Sequence, residues 1–169
     1  MKTFIILISL FISFSAKAQV EQKINSIHIR SRVKADNLIH KIDSTKNLKL
    51  LFSLIDEEYY IVIKRNNNYT EYYIETDSLG NIKRKILLDT TEKDKNMLSK
   101  AFQLNQYSTD FITKVPNAKL VAGRSSYFVI KDKKGKRYGE FSISSMVMPP
   151  VIDPDLLIYL NYRLIEYSK

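Results

Sequence analysis

Apolar positions along this chain follow two periods, and the changes between them outline its elements. Val20, Ile24, Ile27, Ala35, Leu38 and Ile42 recur at helical spacing and predict a helix across 20–43. Within it Ile27, Ile29 and Val33 alternate with His28, Arg30, Arg32 and Lys34 as a strand would, but the six-position stripe is the longer pattern. Asp43-Ser44-Thr45 interrupts it, and Leu48, Leu51, Phe52 and Ile55 predict a second short helical segment. Period two then takes over. Segments 59–64, 69–76 and 82–88 are rich in Tyr, Ile and Val, and the runs between them, Asn66-Asn67-Asn68 and Asp77-Ser78-Leu79-Gly80-Asn81, are hairpin signals. Tyr72 and Ile74 share one face of the second strand, Glu71 and Glu75 the other. The third strand sets Ile82, Ile86 and Leu88 against Lys83 and Lys85. An antiparallel meander then places the glutamates beside the lysines on a solvated face, opposite an apolar one.

Thr90 or Thr91 is the expected cap of a helix reaching about Tyr107, with Glu92 and Asp94 in its first turn and Met97, Leu98, Ala101 and Phe102 on its inner stripe. Pro116-Asn117 marks a break, followed by strands expected at 119–122, 127–131 and 138–143. Asp153-Pro154 opens a terminal helix whose inner face is Leu156, Leu157, Leu160 and Leu164. The order is helix, three strands, helix, three strands, helix, joined by hairpin turns rather than crossover helices. That defines an α+β class: a single domain of antiparallel meander strands with flanking helices. Segments 58–64 and 126–131 resemble each other, either as a degenerate duplication or as any two Tyr-rich strands would.

The first 18 residues stand apart. Lys2, an apolar run over 4–14 broken only by serines, and Ala16-Lys17-Ala18 predict a cleavable secretory signal peptide. Its 11-residue apolar run is too short to span a bilayer as a helix, which takes about 20 residues. Cleavage after Ala18 would leave residues 19–169 as a periplasmic or secreted domain beginning at Gln19. The chain has no cysteine, which excludes a lipoprotein anchor, disulfides, thiolate metal sites and Cys nucleophiles. A domain of this length buries roughly 68–70% of its unfolded surface, enough to stand without such staples. Net charge is +9, or +7 without Lys2 and Lys17, from 25 basic and 18 acidic residues. The surplus suits an acidic protein or an anionic envelope polymer; for an exported chain, nucleic acid is not an expected partner.

Catalytic patterns are sparse. His28 and His40, 12 apart, have no carboxylate at ligand spacing and are expected at the surface. Ser31-Arg32-Val33-Lys34 matches Ser-x-x-Lys but lacks the Lys-Thr-Gly or Lys-Ser-Gly strand of penicillin-recognising enzymes. The four glycines, at 80, 123, 135 and 139, form no phosphate-binding loop. Neither metal nor cofactor is expected. Carboxylates at Asp56-Glu57-Glu58, Glu71/Glu75 and Asp153/Asp155 keep a small hydrolase as an alternative. Asp43-Ser44-Thr45, Asp77-Ser78-Leu79 and Asp89-Thr90-Thr91 resemble a bacterial O-glycan acceptor pattern, at turns and caps where these residues also gather for conformational reasons.

Two segments are candidate partner-binding sites. Lys131, Lys133, Lys134, Lys136 and Arg137 crowd one hairpin tip, which is either a solvated turn or a contact for an anionic partner. Met146 and Met148 lie in a seven-residue run, 146–152, without a polar side chain; such a run is buried in the core or covered by something else. With Tyr favoured at interfaces, the expected function is an exported, non-enzymatic binding module, such as an inhibitor or immunity-type partner of another protein. The alternatives are the carboxylate hydrolase and an envelope-associated structural protein held by charge. Oligomeric state is left open.

Overall fold

The computed structural model describes residues 28–55, 57–110, 125–144 and 152–168. Six strands form one antiparallel sheet: β1 (Leu48–Ile55), β2 (Glu58–Arg65), β3 (Asn68–Thr76), β4 (Ile82–Leu88), β5 (Ser125–Lys131) and β6 (Arg137–Ser144), in the order β4-β3-β2-β1-β5-β6. Helices α1 (28–42), α2 (Glu92–Ala101) and α3 (Pro154–Tyr167) flank it. The succession helix, strands, helix, strands, helix is the expected one, and the class is α+β. The strand expected at 119–122, the run with Met146 and Met148, residues 1–18 and the start of the first predicted helix lie outside the described residues.

One element differs in kind. Segment 48–55, expected to be helical, is β1, and it pairs with both β2 and β5 at the centre of the sheet. A strand buried on both faces reads as a near-continuous apolar run, so its residues also satisfy a helical spacing. Here they serve two cores. Leu50 and Phe52 pack with Leu98, Leu156, Leu160 and Leu164 of α2 and α3, whereas Leu51 packs with Ala35, Leu38 and Ile39 of α1. At the central strands β1 and β2 both faces of the sheet are therefore covered, in place of the one apolar and one wet face expected, while β4 at the edge keeps Lys83, Arg84, Lys85 and Leu87 exposed. Phe128 and Phe141 stack with centroids 5.3 Å apart beneath the α2–α3 layer. Each fully buried side chain of this size stabilises the fold by about 1.5–3 kcal/mol.

The hairpin β3–β4 turns at 77–81 as expected. Asp77 accepts from Asn81 N at 2.8 Å and Asn81 Nδ2 at 3.0 Å. Its side-chain partition differs from expectation. Glu71 stands opposite Leu88 and is fully buried under α3, while Lys85 stands opposite Ile74 on the other face, its Nζ 4.5 Å from the Tyr72 ring centroid. Only Glu75 and Lys83 meet, at 3.9 Å, beside a register shift at that end of the pair. The cause is tertiary: α3 brings Arg163 to Glu71, with Nη2 2.9 Å from Oε2.

Helix caps follow the sequence. Thr91 and Asp94 form a reciprocal capping box on α2, and Asp153 accepts from Leu156 N at 3.0 Å ahead of Pro154. Helix α2 stops at Ala101 rather than near Tyr107. The Tyr107 hydroxyl and Gln106 Nε2 donate to the carbonyls of Ala101 and Lys100, both at 2.8 Å, and so satisfy groups that a longer helix would have bonded.

Candidate functional site

The basic hairpin is built from its tip downward. Asp132 Oδ1 accepts from the backbone N–H of both Lys134 and Lys136 at 2.8 Å, and Gly135 takes the left-handed conformation (φ +82) that closes the turn. Lys133, Lys134 and Lys136 stand exposed around this fixed tip, with Lys136 Nζ 5.4 Å from the Tyr138 ring centroid. Below them Lys131 and Arg137 face each other across the strands and both reach Asp36 on α1, Lys131 at 3.0 Å. Deeper still, Glu140 accepts from Arg32 of α1 through Nε at 2.8 Å and Nη2 at 2.6 Å, and from the Tyr127 hydroxyl at 2.6 Å. Hairpin and helix thus form one surface.

A bulge makes this possible. Phe128 pairs with Phe141 but Ile130 with Tyr138, so Gly139 and Glu140 both stand opposite Val129. Gly139 has φ +59, which glycine adopts without steric cost. The extra residue lets Arg137 and Glu140, three apart, point to the same face, where Arg137 Nε lies 3.5 Å from Glu140 Oε1. Strand alternation alone would separate them. The mid-strand glycine was the one signal in the sequence for this.

Electrostatics hold the carboxylate of the cluster charged and its phenol and imidazole neutral. Burial pushes the Glu140 carboxyl up, but hydrogen bonds from Arg32 and Tyr127, with the charges of Arg32 and Arg137, outweigh it and keep the group below the usual range. Burial, then the bond to Glu140, raises the Tyr127 phenol, which stays a neutral donor. His28, expected at the surface, is 5% exposed, its ring centroid 6.1 Å from that of Tyr127, while His40 is exposed as expected. Burial lowers the His28 imidazole to about 4; Glu140 opposes this and Arg32 and Arg137 add to it.

A pH dependence follows. An unfolded histidine titrates near 6.5. Below that pH the unfolded chain binds a proton that the folded chain refuses, so stability falls as pH drops from about 6.5 to 4, by on the order of 2–3 kcal/mol. Glu140 adds a further loss at lower pH, as its depressed carboxyl is protonated. Urea midpoints measured from pH 7 to 4.5 should fall in the native protein and stay nearly level over that interval in His28→Gln. Parallel curves would show that His28 does not drive the change.

Charge is distributed unevenly. Helix α1 carries four basic residues and one acidic, and residues 131–137 carry five and one. Together they hold a net +7, equal to the whole surplus of residues 19–169; the remaining 16 basic and 16 acidic residues balance. Of the sequence candidates, Lys133, Lys134 and Lys136 are exposed here, Lys131 and Arg137 are partly engaged by Asp36, and Met146 and Met148 lie outside the described residues. Sequence reasoning missed Arg32, Asp36 and Glu140, which join the hairpin to the helix.

Of the carboxylates considered from the sequence, Glu58 and Glu75 stand opposite each other across β2 and β3, and Asp56 lies outside the described residues. Glu71 and Glu140 lie on opposite faces of the sheet, Glu75 pairs with Lys83, and Asp153 caps α3. Among the described residues no three His, Asp or Glu side chains group suitably for a metal ion, and no helix is long and apolar enough to cross a membrane. The glycan-like triads serve the backbone: Asp43 accepts from Thr45 N at 3.1 Å, Asp77 holds its turn, and Thr91 caps α2. No protein-family model, curated protein or solved structure gives a significant match to this chain.

Proposed function

We propose that this chain is an exported binding module, released by cleavage after Ala18 into the periplasm or medium, that docks an acidic surface of another protein on α1 and the β5–β6 hairpin. The observation that carries this reading is that residues 28–42 and 131–137, which Asp36 joins, hold nine basic residues against two acidic ones. A basic surplus spread evenly would serve solubility alone. A dense basic group on two adjoining elements, braced through Asp36 and Glu140, steers an anionic partner to one orientation. Arg163, Lys83 and the α3 cap engage Glu71, Glu75 and Asp153, which otherwise would support the hydrolase alternative.

The test separates position from total charge. Reversing Lys133, Lys134 and Lys136 to Glu takes the net charge of residues 19–169 from +7 to +1; reversing Lys93, Lys95 and Lys100 of α2 does the same on the other side of the sheet. Exposed substitutions usually change stability by about 0.5 kcal/mol or less, so both variants should fold. With exported protein whose intact mass begins at Gln19, affinity for poly-L-glutamate should fall at least tenfold in the hairpin variant and much less in the α2 variant. Salt should weaken the native interaction, since the Debye length shrinks from about 10 Å at 0.1 M to about 3 Å at 1 M. Equal losses in the two variants would reduce the effect to net charge and overturn the reading.

A further inference from the structure

On the far side of the sheet, α3 exposes three large apolar residues in a row: Ile158 (67% exposed), Tyr162 (62%) and Ile165 (54%). They stand at i, i+4 and i+7, one stripe along a helix whose other face is held in the core by Leu156, Leu160 and Leu164. Isolated apolar residues on a surface are ordinary, but a stripe of three along one helix is the contact row of helix packing. We propose that this stripe is the interface of a homodimer in which α3 packs antiparallel against α3 of a second copy.

Three features select a second copy as the occupant. The spacing is self-complementary: Tyr162 sits near the middle, so a two-fold axis there sets Ile158 against the partner's Ile165 and the reverse. Charge permits the approach. Helices α2 and α3 together carry four basic and four acidic residues, so two copies meet there without the repulsion that would oppose contact through the α1 side. The arrangement also leaves both basic faces outward, making the dimer bivalent toward an extended acidic partner, which raises avidity without a new contact. Three side chains on a helix of about 21 Å cover less than a standard interface of about 1,600 Å², so the dimer is weak and concentration-dependent.

Sedimentation equilibrium of the processed protein tests this without reference to any ligand, so its failure and that of the binding reading are distinguishable. The weight-average mass should rise with concentration toward twice that of the chain. Tyr162→Glu and Tyr162→Lys, each placing like charges together at the axis, should remain monomeric with unchanged circular dichroism. An equimolar mixture of the two should recover the dimer, because position 162 then meets its opposite charge. A native protein monomeric to millimolar concentration, variants that associate like the native chain, or a mixture that stays monomeric would each overturn the proposal.

Discussion

Glu71→Gln and Arg163→Met are each expected to cost about 3–5 kcal/mol, read as a large drop in the urea midpoint, because each leaves an uncompensated partner inside the α3–sheet layer. Glu71 is fully buried and Arg163 nearly so. Four donors converge on Glu71 Oε2: Arg163 through Nε at 3.2 Å and Nη2 at 2.9 Å, and the hydroxyls of Tyr60 and Tyr159. Arg163 Nη2 also donates to the Asp89 carbonyl at 3.0 Å, which ties α3 to the end of β4. Burial is the main cause that raises both phenols, so they remain neutral donors. Burial works against the Arg163 charge, yet Glu71 and its neighbours more than restore it. Replacing the pair together, as Glu71→Leu with Arg163→Met, should recover most of the loss, because buried ion pairs exchanged for apolar residues of similar volume are often neutral. Single variants that cost under about 1 kcal/mol would show the pair to be solvated and the α3 docking wrong.

Gly139→Ala is expected to destabilise by about 2–4 kcal/mol, combining a non-glycine residue at positive φ with overpacking. Its Cβ would lie 2.8 Å from Tyr107 Cδ1 and 3.2 Å from Phe128 Cε1. Neither ring can yield cheaply: the Tyr107 hydroxyl is bonded to the Ala101 carbonyl, and Phe128 is fully buried and stacked on Phe141. Gly80 and Gly135 supply the control, since both have positive φ but nothing within 4 Å of the added Cβ. Their alanine variants should pay only the backbone cost, about 1 kcal/mol at the low end of such strain. Because the bulge also aims Glu140 and Arg137 at α1, Gly139→Ala should weaken poly-L-glutamate binding even under conditions where it is folded. A Gly139→Ala protein no less stable than Gly135→Ala would mean that the close approach carries no energy.

The parts of this protein legible in its sequence are those decided within a few residues. Asn66-Asn67, Asp77 to Asn81 and Asp132 to Lys136 make the expected turns, Thr91 and Asp153 cap the expected helices, and β2 to β4 fall within a residue of their predicted bounds. Turn chemistry, capping and alternation are local, so the residues themselves carry the answer. The rest depended on what lies across the sheet. Whether 48–55 is helix or strand was decided by two cores competing for its sides, since an apolar run fits both periods. Glu71 looked like one of a pair on a wet face, and only the docking of Arg163, 92 residues away, gave it a partner inside the core. Arg32 stood in the sequence only as a polar position among alternating apolar ones, and only the bulge at Gly139 turned Glu140 and Arg137 to meet it and Asp36. Local order is written in neighbouring residues, whereas charges that pair across more than 90 positions are placed by packing alone.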